Sequence, residues 1–186
     1  MALELWSGFH LQDKAFIREF VDTLGPLPKY RSNPNIGRAN LFIGLMIRFE
    51  VLSRLGEIKQ LVREFKDLYL QELKDGSGTL FEAVHAFSGC HGFNADAGAL
   101  IVNDVLGLGQ PRQSTKSFRL CPHPGELRWA NGTARTCDGI IFMEWGSDSD
   151  EHILNIRLQM PEGWTYEFER PFELSGWTIT VNGGNL

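Results

Sequence analysis

DGSGTLFEAVHAFSGCHGFN, residues 75–94, concentrates Glu82, two histidines, a cysteine and four glycines between two segments of helical pattern. Gly76 and Gly78 break the preceding helix, so Thr79 to Glu82 leave it in a turn or an extended run. Gly89 and Gly92 permit a second sharp turn before the next helix. Loops of this kind present side chains while the flanking scaffold holds them. Glu82 is therefore the candidate acid or base, against the plainer reading of a solvated loop carboxylate.

On the N-terminal side the chain reads as helices. Phe16, Ile17, Phe20, Val21 and Leu24 recur at helical spacing behind Asp13, and Gly25-Pro26 ends the run. The linker from Leu27 to Asn35 carries Pro28 and Asn33-Pro34, which favour extended or turn backbone. A second helix, from about Gly37 to Leu55, is apolar around most of its circumference and so packs on more than one side. Gly56 caps it. The third, from about Glu57 to Leu73, places Ile58, Leu61, Val62, Phe65, Leu68, Tyr69 and Leu73 on one face, which makes an antiparallel hairpin with the second. Beyond the central loop a fourth helix is expected from about Gly92 to Leu106. There Ala95, Ala97, Gly98 and Ala99 permit close contact, and Gly107 supplies the stop.

At Gln110-Pro111 the hydrophobic period changes from 3.6 to 2. The expected domains are 1–109, helical, and 110–186, β. Leu154, Ile156, Leu158 and Met160 alternate with polar neighbours, as do Ile141, Met143 and Trp145, and Trp164, Tyr166 and Phe168 after the Pro161-Glu162-Gly163 turn. Short strands at close spacing predict an antiparallel β-sandwich. Asn131-Gly132 reads as a hairpin turn, in preference to Asn131-Gly132-Thr133 as a glycosylation acceptor.

The composition, 42% hydrophobic and 22% charged, is that of a folded globular chain. A net charge of -5 with no basic run argues against a nucleic-acid partner. The opening MALELWSGFH has neither a basic flank nor a long apolar core, so no signal peptide, no membrane span and a cytoplasmic location are expected. Cys90, Cys121 and Cys137 lack CxxC spacing and are expected as free thiols. His85, Cys90 and His91 are too irregularly spaced for a metal centre, and neither a metal nor another cofactor is expected. Glu144, Asp148, Asp150 and Glu151 lack calcium-loop spacing and read as a solvated turn at a Gly-Ser hairpin tip. His123 has no partner in sequence and reads as a strand-edge residue. An exposed Trp6, Trp129 or Trp177 offers a surface for stacking on a sugar.

One resemblance joins these segments. The order of a helix hairpin, GTLFE, SGCH, a helix ending VLGL, and a β-module with GELRWANGTARTCDGIIFMEW and RLQMPEGWTYEF resembles the C-terminal part of an α-L-rhamnosidase, over nearly the whole chain. The resemblance implies a six-hairpin glycosidase, whose catalytic (α/α)6 barrel precedes a C-terminal β-sandwich. It thus implies an α+β, multi-module chain of partial barrel helices followed by an antiparallel sandwich. By position in the family motif, Glu82 is the implied general base, while His91, Phe81 and Thr79 are implied in the sugar site. Phe81 stands where the family usually has tryptophan, and Cys90 where it usually has asparagine.

The same resemblance implies a rhamnose-containing glycan or glycoside as partner and inverting hydrolysis of a terminal α-L-rhamnoside. An inverting enzyme needs an acid and a base about 6.5–9.5 Å apart, and the family's acid lies in an earlier half of the barrel. The chain alone is thus expected to be inactive. Its incomplete barrel would leave one side of the apolar second helix bare, implying an N-terminal half or self-association to cover it. The alternative is a non-catalytic carbohydrate-binding or assembly remnant of such an enzyme.

Overall fold

A computed structural model of the chain describes residues 1–33, 35, 43–74, 79–81 and 92–186. They divide into two compact units, Met1–Leu100 and Ile101–Leu186. No helix among the described residues is long and apolar enough to cross a membrane.

The first unit contains α1 (Ala2–Trp6), α2 (Lys14–Thr23), α3 (Ile43–Arg54), α4 (Ile58–Lys74) and α5 (Asp96–Leu100). α2 begins where the Asp13 carboxylate accepts the amides of Ala15 and Phe16 at 3.1 and 3.0 Å, a cap worth about 1 kcal/mol. The chain turns at Gly25, whose amide donates to the Tyr30 carbonyl at 3.1 Å. A Cβ at Gly25 would lie 2.2 Å from that of Tyr30, so only glycine fits. Lys29 Nζ then reaches Asp67 on α4 at 2.6 Å, and the Tyr30 hydroxyl donates to the same carboxylate.

α3 and α4 form the expected hairpin. Gly56, at φ +72°, sits just past the end of α3, while the Glu57 amide donates back to Leu52 and that of Gly56 to Ser53, each at 2.9 Å. That double closure satisfies carbonyls that the helix end leaves open. The expected start of the second helix at Gly37 lies outside the described residues. Over its described length, α3 packs against α1, α4 and α5 and buries Leu45, Ile47, Phe49, Val51 and Leu52. Among the described residues of α3, Ile43 at its start is the one large exposed apolar residue.

At the centre of this unit the buried Arg48 guanidinium donates to both Glu64 oxygens at 2.6 and 2.5 Å. Its remaining donors reach the Phe20 and Val21 carbonyls at 3.0 and 2.8 Å. One side chain thereby joins α3, α4 and the last turn of α2. The five-residue α1 is too short to show a period, and tertiary contacts hold it. Leu5 is buried, the Trp6 indole N–H donates to Glu50, and Arg54 Nη1 donates to the Trp6 carbonyl at 2.6 Å.

The single fourth helix expected over Gly92–Leu106 is instead three pieces: a 3₁₀ turn at Gly92–Ala95, α5, and a π-helical stretch at Ile101–Leu106. The last piece belongs to the second unit. There Val105 and Leu106 are buried, and the Leu106 carbonyl accepts the Trp145 indole N–H at 3.0 Å. Packing on the β core thus sets the course of the chain after Leu100.

The second unit holds β1 (Ser117–Leu120), β2 (Trp129–Thr136), β3 (Gly139–Asp148), β4 (Ile153–Gln159), β5 (Thr165–Phe168), β6 (Thr178–Val181) and β7 (Gly184–Asn185). Five strands form a sheet in the order β2-β3-β4-β6-β7, and β1 pairs with β5 in a second, two-stranded sheet. The fold is therefore α+β. The five-stranded sheet is mostly antiparallel, as expected, but β4 and β6 run parallel, and so do β1 and β5. A parallel pair needs a long crossover, and the segment 160–177, which includes β5, provides it. Ile141, Met143 and Trp145 of β3 interlock with Leu154, Ile156 and Leu158 of β4, Ile179 and Val181 of β6, and Phe118 and Leu120 of β1. Each such aliphatic side chain contributes roughly 1.5–3 kcal/mol of burial.

Asn131-Gly132 is not the hairpin turn. Both residues lie within β2, opposite Glu144 and Met143, and the chain reverses at Cys137-Asp138. A Cβ on Gly132 would meet Leu106 Cδ2 at 2.8 Å, so the glycine admits that leucine rather than making a turn. Gly146-Ser147 likewise lies inside β3, and the next reversal spans 149–152, where Asp148 Oδ1 accepts the amides of Asp150 and Glu151.

Candidate functional site

Of the four site residues expected from sequence, Thr79 is exposed and Phe81 half-buried. Glu82 and His91 lie outside the described residues, as do His85 and Cys90. Among the described residues no group of three potential metal ligands forms.

In the helical unit, Asp96 opens α5 with its Oδ2 shielded from solvent and, among the described residues, without a hydrogen-bond partner. Burial, and secondarily the charge of Glu50 on α3, push its pKa up. A carboxyl so placed keeps its proton more readily than a surface aspartate, the tuning that acid catalysis requires. Nothing in the sequence drew attention to it, since Asp96 sits among alanines and glycine and its neighbour Glu50 is remote in the chain.

In the β unit, His123 proves to be the middle of a chain of three groups. Its Nδ1 lies 2.5 Å from Glu173 Oε1, and its Nε2 lies 3.5 Å from Cys121 Sγ. Burial opposes its protonation, but hydrogen bonds to Cys121 and Glu173 and the Glu173 charge outweigh that and push its pKa up to about 9. The arrangement has the order of a nucleophile, a base and an orienting carboxylate. However, Cys121 is only 2% exposed, which shields the sulfur from a substrate. The contact instead ties the 3₁₀ turn Phe172–Leu174 to the segment that follows β1. Cys121 and Cys137 are both free thiols.

The outer face of the five-stranded sheet carries an open groove. Alternation turns Trp129 and Asn131 of β2, Glu144 and Gly146 of β3, and Asn155 and Arg157 of β4 away from the core, and register aligns them in rows. Together with Thr180 and the turn at Asn182-Gly183 they line an open groove of about 580 Å³. Arg157 Nη1 donates to Glu144 Oε1 at 3.1 Å, and Thr180 Oγ1 donates to Asn155 Oδ1 at 2.8 Å. Asn182 extends the ladder at one end, its amide bonding both the N–H and the carbonyl of Leu158 at 2.9 Å.

The three tryptophans named from sequence separate here. Trp6 is tied to Glu50, and Trp177 stands edge-on to His152 with ring centroids 5.4 Å apart. Trp129 is 68% exposed.

No family model and no curated protein matches this chain. In three dimensions it is similar to the crystal structure of a GH78 family rhamnosidase of Bacillus sp. GL1, with a TM-score of 0.72 and 21% sequence identity over 90% of the chain. The fold is that of part of a GH78 rhamnosidase, in agreement with the family resemblance of the sequence. The chain spans 18% of that enzyme's length.

Proposed function

We propose that this chain is the C-terminal part of an α-L-rhamnosidase-like glycoside hydrolase that cleaves terminal α-L-rhamnosides with inversion. Glu82 acts as the general base that activates water, and Thr79, Phe81 and His91 line the sugar pocket. What supports the reading is the coincidence of the GTLFE and SGCH motifs with a fold match covering 90% of the chain. Because that match takes in only 18% of the enzyme, the proton donor and most of the glycone contacts are assigned to the part of such a barrel outside these residues. The residues in hand supply one half of the acid–base pair that inversion requires.

The test is a fusion of the chain to the preceding portion of a related rhamnosidase, assayed on an aryl α-L-rhamnoside. The chain alone should hydrolyse this substrate negligibly, and the fusion should restore turnover. In the fusion, Glu82→Gln should lower kcat by about 10²–10⁴, the usual contribution of a general base. The amide keeps the size of the carboxylate but cannot accept the proton. Retention of more than about a tenth of the rate would remove Glu82 from that role.

A further inference from the structure

We propose that the outer face of the five-stranded sheet is a binding site for a neutral saccharide, separate from the chemistry assigned to Glu82. The groove has an aromatic wall, an open floor and polar edges. Trp129 presents its ring to solvent from β2, where nothing in the fold requires a large apolar side chain. The C–H face of a pyranose is a complementary surface for such a ring.

Directly across the ladder from Trp129 is Gly146. A Cβ there would meet no atom within 4 Å, and its φ is not positive. Neither backbone strain nor crowding explains the glycine, and its bare backbone leaves open space beside the indole. The groove volume, about 580 Å³, falls in the range of roughly 300–1,000 Å³ typical of small-ligand sites.

The edges of the groove set the chemistry of the ligand. Asn131 brings an amide on the Trp129 side. Asn155 uses its oxygen on Thr180, and its NH₂ group carries two further donors. Arg157 and Glu144 neutralise one another while keeping further donor and acceptor positions. Amides with a self-compensated ion pair suit vicinal hydroxyl groups, which donate and accept at once. They do not suit a polyanion, which would meet a single, already paired arginine on a chain of net charge -5. Apart from Trp129 the outward side chains of the groove are polar, which disfavours a lipid or an apolar helix.

The experiment is ¹⁵N NMR of the full chain titrated with methyl α-L-rhamnopyranoside, cellohexaose, xylohexaose and mannohexaose, with polygalacturonate as the anionic control. At least one neutral probe should shift the Trp129 indole N–H. Trp129→Ala should weaken that binding at least about tenfold, as loss of the stacking ring predicts. Gly146→Leu should weaken it similarly with Trp129 still in place, because the slot is filled. Both positions are exposed, and the Trp145 indole signal, held by the Leu106 carbonyl, reports whether each variant is folded. The Trp129 indole shift reports the sheet face directly, so the outcome is read independently of the hydrolase assay. The proposal is overturned if no neutral probe moves Trp129, if binding survives both substitutions, or if only polygalacturonate binds.

Discussion

Arg48 and Glu64 occupy the centre of the helical unit, whereas among its described residues the β unit buries no charged side chain. The difference follows from how each unit fixes its geometry. Helices satisfy their own backbones and can slide or rotate over one another, so apolar packing alone specifies their register loosely. The Arg48 clamp has directional bonds to α4 and to two carbonyls of α2, and it accepts one arrangement of the three helices. In the β unit, the alternating apolar pattern and the turns already set the register, and the core can be apolar. Its one buried polar contact of note, Trp145 to the Leu106 carbonyl, ties the π-helical stretch to the sheet.

The comparison breaks most sharply at Arg48. Arg48→Ala leaves the Glu64 carboxylate buried and without its cation, and should cost about 3–5 kcal/mol. Urea denaturation followed by helical circular dichroism measures it. The paired change Arg48→Met with Glu64→Leu should recover most of that loss, since apolar replacement of a buried ion pair is often neutral. A single-variant cost under about 1 kcal/mol would show that the clamp does not organise the helices.

In the β unit the corresponding change is smaller. Trp145→Phe keeps an aromatic ring in the core but removes the N–H that the Leu106 carbonyl accepts, and leaves a small cavity. A destabilisation of about 1–3 kcal/mol is expected, read from denaturant midpoints at constant m-value. A cost equal to that of Arg48→Ala would erase the contrast between the units.

The smallest effect concerns His123. Its pKa is raised from 6.5 to about 9 in the folded state. The stabilisation is therefore complete below pH 6.5 and is lost as pH rises through about 9. Glu173 is 40% exposed, and solvent screening limits the effect to about 1 kcal/mol. Thermal unfolding between pH 6 and 10 should show this loss in the parent, and His123→Gln should flatten it. An unchanged slope in the variant would assign the alkaline loss to other groups.

Residues close in sequence decided much of what the chain is. The Asp13 cap and the Gly25 stop delimit α2, Gly56 closes the α3–α4 hairpin, and the alternation in Ile153–Gln159 gives β4 its buried face; each depends on neighbours within a few positions. The GTLFE and SGCH motifs pointed to Glu82 and His91 through family resemblance, and those two residues lie outside the described structure. Tertiary structure decided the rest. Asn131-Gly132 has the composition of a turn, but the contact of Gly132 with Leu106 makes it strand interior. The parallel pairing of β4 with β6 depends on where the crossover 160–177 returns. Arg48 reads locally as one polar residue in an apolar helix, and only the approach of Glu64, Phe20 and Val21 gives it a role. The groove beside Trp129 needs three strands in register before its residues meet. Periodicity records which side of an element is apolar; it carries no information about which element will cover that side, because that choice is made by the simultaneous packing of segments far apart in the chain.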